Sequence, residues 1–303
     1  NSRLFKSDGV ARVAQIIHVV EIDAHHQRAV GIERIDRIEA ATQPDLEDGD
    51  VDALPHKQPH GGKRAKLEVG ERHASPGAFD GNKMTISHLT ITGKDNLGFF
   101  GGLASGSEIK DLRLVNVNIT GSGRNVGALA GFNGGTMVRC RSTGTVSSDN
   151  SVGGLAGYNY GTVIQCYSSG EVSGTAGVGG MVGYNYGTLN NCYSTCVIDG
   201  NDVVGGLVGE SWGDVTNCYS AGAVTGNTSV GGLVGNVGID PWVPLPTVTN
   251  SFWDIQTSGQ ATSAGGTGKT TAEMQTTSTF LDAGWDSVDE TANGSDDIWW
   301  ILE

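Results

Sequence analysis

One spacing constrains this chain more than any other feature. The blocks Val126-Gly-Ala-Leu-Ala-Gly131, Val152-Gly-Gly-Leu-Ala-Gly157, Val178-Gly-Gly-Met-Val-Gly183, Val204-Gly-Gly-Leu-Val-Gly209 and Val230-Gly-Gly-Leu-Val-Gly235 each begin 26 residues after the last. Phe100-Gly-Gly-Leu-Ala-Ser105 extends the series one unit earlier. Cysteine keeps the same step, at Cys140, Cys166, Cys192 and Cys218. A fixed period of this length marks a repeat architecture in which each unit stacks on its neighbour.

Within a unit the alternation has period two. Cys166, Ser168, Gly170 and Val172 share one parity and Tyr167, Ser169, Glu171 and Ser173 the other, which is the pattern of a strand with one face inward. The regular glycines interrupt any stretch long enough for a helical repeat. The expected fold is therefore all-β, a parallel β-helix or β-solenoid of about seven coils. Parallel strands lie ~4.8 Å apart, so residues 26 apart become neighbours. Leu129, Leu155, Met181, Leu207 and Leu233 should form one buried column, Val146, Val172, Ile198 and Val224 a second, and the four cysteines a third. In-register parallel neighbours point their Cβ atoms the same way, which suits buried free thiols better than disulfides. Cys196 falls outside that column.

The register loosens at both ends. Ile91-Thr-Gly93 precedes Ile119-Thr-Gly121 by 28 residues, and Asn250-Ser-Phe-Trp253 follows Asn217-Cys-Tyr-Ser220 by 33. About seven inserted residues within Gly238–Pro246 account for the second slip. Three zones follow: an unrelated N-terminal segment (1–78), the repeats (79–253) and a C-terminal capping segment (254–303). A solenoid's open ends need covering. In the last zone Thr270-Thr-Ala-Glu273 has the form of a capping box, and Trp285, Trp299 and Trp300 could cover the final coil.

Composition shifts sharply at the first boundary. Residues 1–78 hold six of the seven His and 11 of the 19 Lys and Arg, but only seven of the 48 Gly. Ala11 to Ala41 could form helix or strand, and the stretch after it reads as loop. Two readings of this zone stay open: a small unrelated domain, or a stretch translated from the wrong frame. Its histidines lack the spacing of a metal module. Val10 to Ile22 carries Arg12, His18 and Glu21 and makes a poor signal peptide. No apolar run is long enough to span a membrane as a helix, and a net charge of −14 without a basic stripe argues against nucleic acid.

The side chains that could carry chemistry fall in the same frame. Ala264-Gly-Gly-Thr-Gly-Lys-Thr270 approaches a phosphate-binding loop, but Ser263 stands where the motif needs its first Gly. Acid–base work on sugars needs two carboxyls a few ångströms apart. Asp149, Glu171, Asp199, Asp202, Glu210 and Asp214 occupy different unit positions, so no catalytic residue is assigned. Aromatic residues do recur in register. Phe132, Tyr158 and Tyr184 form one file, which Glu210 continues. Tyr160, Tyr186 and Trp212 form a second, and Tyr167, Tyr193 and Tyr219 a third. These tyrosines and Trp212 are the ligand-contact candidates, because stacked outward rings can meet sugar faces or simply stiffen turns.

At Gly154-Leu-Ala-Gly157, Gly180-Met-Val-Gly183, Gly206-Leu-Val-Gly209 and Gly232-Leu-Val-Gly235, with the Cys-Tyr-Ser segments between them, the sequence resembles the GLUG-motif repeats of bacterial surface proteins. The resemblance covers roughly residues 77–303 and implies a secreted or surface-attached, adhesin-like role. It implies no catalytic residues. The expected function is a non-enzymatic extracellular repeat segment serving adhesion or spacing, without cofactor or metal. Glycans or host or cell-surface proteins are the expected partners. A carbohydrate-active β-helix enzyme is the alternative.

Overall fold

The computed structural model describes residues 16–18, 22–23, 77–239 and 245–286. Its body is a parallel β-solenoid. One coil shows the plan: short strands at Asn150–Gly153, Ala156–Asn159 and Thr162–Ile164, then a longer one at Tyr167–Ser173. These four positions build four sheets, called first to fourth here in that chain order. They contain five, six, seven and thirteen strands respectively, the last because some of its rungs are split. The described coil makes six to seven turns, close to the seven expected.

Register follows the repeat. Val152 pairs with Val126 and Val178, and Ala156 with Ala130 and Val182. Val172 lies between Val146 and Ile198. The irregular spacings are honoured too. Ile91 pairs with Ile119, Thr92 with Thr120 and Gly93 with Gly121 across the interval of 28. Tyr219 pairs with Phe252 and Ser220 with Trp253 across the interval of 33.

The interior is thin and filled by columns. Leu129, Leu155, Met181, Leu207 and Leu233 are all buried, and so are Val146, Val172, Ile198 and Val224. Met137, Val163, Leu189 and Val215 make a further column that the repeat blocks had not singled out. Each fully buried side chain of this size stabilises the coil by ~1.5–3 kcal/mol. Gly161, Gly187 and Gly213 let successive backbones meet, since a Cβ at any of them would collide with the carbonyl of the glycine one coil earlier.

Corners use left-handed backbone. The residue before each of Cys140, Cys166, Cys192 and Cys218, namely Arg139, Gln165, Asn191 and Asn217, has φ between 51° and 54°. Asn tolerates that region best among residues with a side chain, which accounts for the recurrent Asn-Cys-Tyr-Ser. Gly144 and Gly170 sit mid-strand in the fourth sheet at φ 129° and 113°. In the next coil that position is Cys196, which cannot take such a conformation. There the seven-residue strand splits into Tyr193–Ser194 and Val197–Asp199.

The ends are built differently. Ile16–His18 lies parallel to Thr85–Ser87, and Ile22–Asp23 to Ile91–Thr92, in the fourth sheet. The rest of residues 1–76 lies outside the described residues, and with it the choice between a separate domain and a wrong-frame stretch. At the other end Thr267–Lys269 adds a rung beside Phe252–Asp254. The Gly-Thr-Gly-Lys segment is therefore strand rather than phosphate loop. Ser263 takes the place of a further rung, its Oγ accepting the N–H groups of Leu233 (3.2 Å) and Val234 (2.8 Å). Thr270 and Glu273 form the expected capping box. Trp285 is buried against Phe252 and Phe280, while Trp299 and Trp300 lie outside the described residues.

Candidate ligand-contact surface

The three aromatic files occupy two faces. Phe132, Tyr158 and Tyr184 project from the second sheet, and Tyr160, Tyr186 and Trp212 from the corner that follows it. Their rings interleave: Tyr158 lies 5.2 Å from both Tyr160 and Tyr186, and Tyr186 lies 5.6 Å from Trp212. The third file runs along the fourth sheet. Tyr167 to Tyr193 is 4.8 Å and Tyr193 to Tyr219 is 4.9 Å, nearly parallel in both cases. Those centroid distances equal the rung spacing of a parallel sheet. The rings are therefore stacked by the backbone itself.

The rings pack on one another, one of the two roles that the sequence left open to them. Each interior ring covers its neighbour's face and leaves edges and hydroxyls outward. The third file is closed at both ends, by the Arg141 guanidinium 5.7 Å from the Tyr167 ring and by Trp285 and Phe280 against Tyr219. Among the ligand-contact candidates only Tyr160 is more than half exposed, at 54%. Burial raises the Tyr158, Tyr184, Tyr193 and Tyr219 hydroxyl pKa values above the ordinary phenol range, and for Tyr158 hydrogen bonds with Tyr186 and Tyr160 add to the shift. These four phenols stay protonated at any physiological pH.

Several acidic side chains have local partners. Glu210 continues the Tyr184 file and accepts a hydrogen bond from Asn236 (3.0 Å). Asp214 accepts from the Thr247 hydroxyl (2.8 Å), and Asp202 from the Thr228 hydroxyl. Asp111 is held by a bidentate contact with Arg139 at 2.8 Å, which lowers its pKa. Among the described residues no group of three or more His, Cys, Asp or Glu side chains is placed to hold a metal ion.

Two buried ladders complete the site region. Cys140, Cys166, Cys192 and Cys218 are free thiols in one inward file, and Cys196 is a free buried thiol outside it. The other ladder is Asn133, Asn159, Asn185 and Ser211, all wholly buried. The Asn133 amide donates to Asn159 Oδ1 (2.7 Å), Asn159 to Asn185 Oδ1 (2.8 Å) and Asn185 to Ser211 Oγ (3.0 Å). Reading the sequence by apolar columns passed over this spine. The step of 26 between Asn133, Asn159 and Asn185 is the signal that could have found it.

Comparison with known proteins adds the family. The family described as "Glug: The GLUG motif" matches residues 148–173 and 200–225. These coils are GLUG repeats. Each match spans one 26-residue unit and ends in the fourth sheet. Halomucin of Haloquadratum walsbyi (strain DSM 16790 / HBSQ001) is 40% identical over 76 residues, which is 24% of this chain; the chain spans about 1% of the length of that relative. Among solved structures, one titled "putative immunoglobulin A1 protease" from Bacteroides ovatus superposes with a TM-score of 0.52 and 21% identity. The superposition covers 72% of this chain and 75% of that one. At that identity the likeness concerns the fold alone. No helix among the described residues is long and apolar enough to cross a membrane.

Proposed function

We propose that these GLUG repeats form a non-enzymatic segment of an extracellular surface protein, acting chiefly as a stiff spacer. The observation that carries this reading is the absorption of outward side chains into the ladder. Rings stack on rings, and the acids sit at scattered unit positions, Glu210 and Asp214 among them holding partners of their own. The match to Halomucin supports a place at the cell surface. Adhesion is the second reading, favoured by the exposed Tyr160 ring and the tyrosine hydroxyls around it, which could meet a glycan or a protein edge-on. The structural neighbour's title invites a proteolytic reading, and β-helices invite a polysaccharide-cleaving one.

A glycan array run alongside polysaccharide- and immunoglobulin-cleavage assays separates these readings. A spacer is silent in all three assays. An adhesin binds an array feature without releasing product, and Tyr160→Ala weakens that binding at least about fivefold. Released oligosaccharide or cleaved protein, abolished by replacing one carboxylate, overturns the non-enzymatic reading.

A further inference from the structure

The cysteine file has a geometry that stacking alone does not demand. In each of the four coils the Sγ–H donates to the carbonyl two residues earlier: Cys140 to Val138 (3.4 Å), Cys166 to Ile164 (3.2 Å), Cys192 to Asn190 (3.2 Å) and Cys218 to Thr216 (3.1 Å). The four side chains thus share one orientation, and their sulfurs are repeated by the coil's own translation of ~4.8 Å. A disulfide needs sulfurs ~2.05 Å apart with a torsion near 90°, which parallel Cβ vectors at this spacing do not offer. A metal–thiolate bond is ~2.3 Å, so a linear sulfur–metal–sulfur unit spans about 4.6 Å. That length matches one rung.

We infer that adjacent rungs of this file clasp soft, two-coordinate d10 cations, Cu(I) being the biological one, with one ion between Cys140 and Cys166 and a second between Cys192 and Cys218. Thiolate sulfur is the ligand type that selects Cu(I) over harder ions. A tetrahedral ion such as Zn2+ is not matched, because no three such ligands converge among the described residues. At each site two thiols lose their protons and the ion bonds to both sulfurs. No electron is transferred, and the unit carries one negative charge. The fold offers partial compensation, since the backbone N–H of Cys140 already points at Cys166 Sγ (3.3 Å). Cys196 stands apart, its Sγ–H donating to Gly180 O (3.3 Å), with burial raising its pKa to about 11. It should take no part.

The test is anaerobic titration of the full chain with Cu(I), supplied as its acetonitrile complex against a chromogenic Cu(I) chelator. Alkylation in denaturant and peptide mapping then follow. Two ions per chain are expected, with alkylation falling from five thiols to Cys196 alone and with X-ray absorption showing two sulfur neighbours in line. Cys166→Ala should lose one ion and keep the other. Fewer than two ions on the native chain, protection of Cys196, or an unchanged stoichiometry in Cys166→Ala overturns the inference. If that variant does not fold, the alkylation map of the native chain decides.

Discussion

The coils between Val126 and Gly235 and the two ends of the solenoid solve the same problem with opposite ring geometries. Inside, a residue's neighbour is its own copy moved along the axis. Their rings lie nearly parallel, at 18° for Tyr167–Tyr193 and 4° for Tyr193–Tyr219, and still at 6° where Trp212 follows Tyr186. At the ends no translated copy exists. Phe79, Phe99 and Phe100 meet edge to face at 63° to 80° at the first turn, and Phe252 meets Phe280 at 87° under the tail. A T-shaped pair gains contact without continuing the stack. Repetition is thus the source of order in the middle, and its deliberate interruption closes the ends.

The largest effect should come from breaking the middle. Leu207 is wholly buried, pairing by position with Met181 above and Leu233 below. Leu207→Asp puts a carboxylate where no partner can reach it, a cost above about 5 kcal/mol. Because the coils are coupled only to nearest neighbours, the stack should divide there, and the circular-dichroism melt should lose its cooperative transition. A melting temperature within a degree or two of the parent would show that the columns do not bear the fold.

Much of that middle was legible beforehand. The Leu, Val and Cys columns could be read because burial repeats with the same step as identity, and both irregular spacings proved to be true rung intervals. What escaped was anything whose partner exists only after stacking. Asn133, Asn159 and Asn185 drew no notice, since a buried amide needs hydrogen-bond partners that here come from the next coil. The ring files were found, with packing on one another as one of their two open roles, but the interleaving of Tyr158 with Tyr160 and Tyr186 was not, because sequence spacing says nothing about side-chain tilt. Cys196 looked like a stray thiol, when it occupies the bulge position held by Gly144 and Gly170. The adjacency of Thr267–Lys269 to Phe252–Asp254 was also hidden, because the tail keeps no period.

A second substitution tests whether the closure is as local as the ring geometry implies. Trp285 is buried on Phe252, Phe280 and Tyr219, and its Nε1 donates to Asn250 O (2.9 Å). Trp285→Ala should cost about 3–5 kcal/mol, but only where the tail covers the last rungs. Hydrogen exchange should show amides of 252–254 and 267–285 losing protection while those of 152–209 keep theirs. Uniform loss along the chain would mean that the cap holds the whole stack together, and that ends and middle are one cooperative unit.

The smallest of the three effects sharpens the comparison most, because it asks whether polar groups in the middle obey the same translation rule as rings. The asparagine ladder stops where repetition stops, at Leu103 beside Asn133 and at Val237 beside Ser211. An apolar residue at each end costs nothing, since the terminal amide turns to its own loop, as Asn133 Oδ1 does in accepting Gly135 N–H (3.1 Å). Asn159 sits inside the ladder, its Oδ1 accepting from Asn133 and its Nδ2 donating to Asn185 Oδ1 as well as to Gly161 O of its own loop (3.3 Å). Asn159→Ala removes the acceptor of Asn133 Nδ2 and the donor to Asn185 Oδ1, leaving two buried groups unpaired. Each orphan costs ~1–3 kcal/mol, part of which the neighbours recover by rotating, so denaturant melts should show a loss of about 2–3 kcal/mol. A loss under about 0.5 kcal/mol would mean that each amide is satisfied within its own coil. The middle would then be held by its apolar columns alone, with the asparagines merely filling space between them.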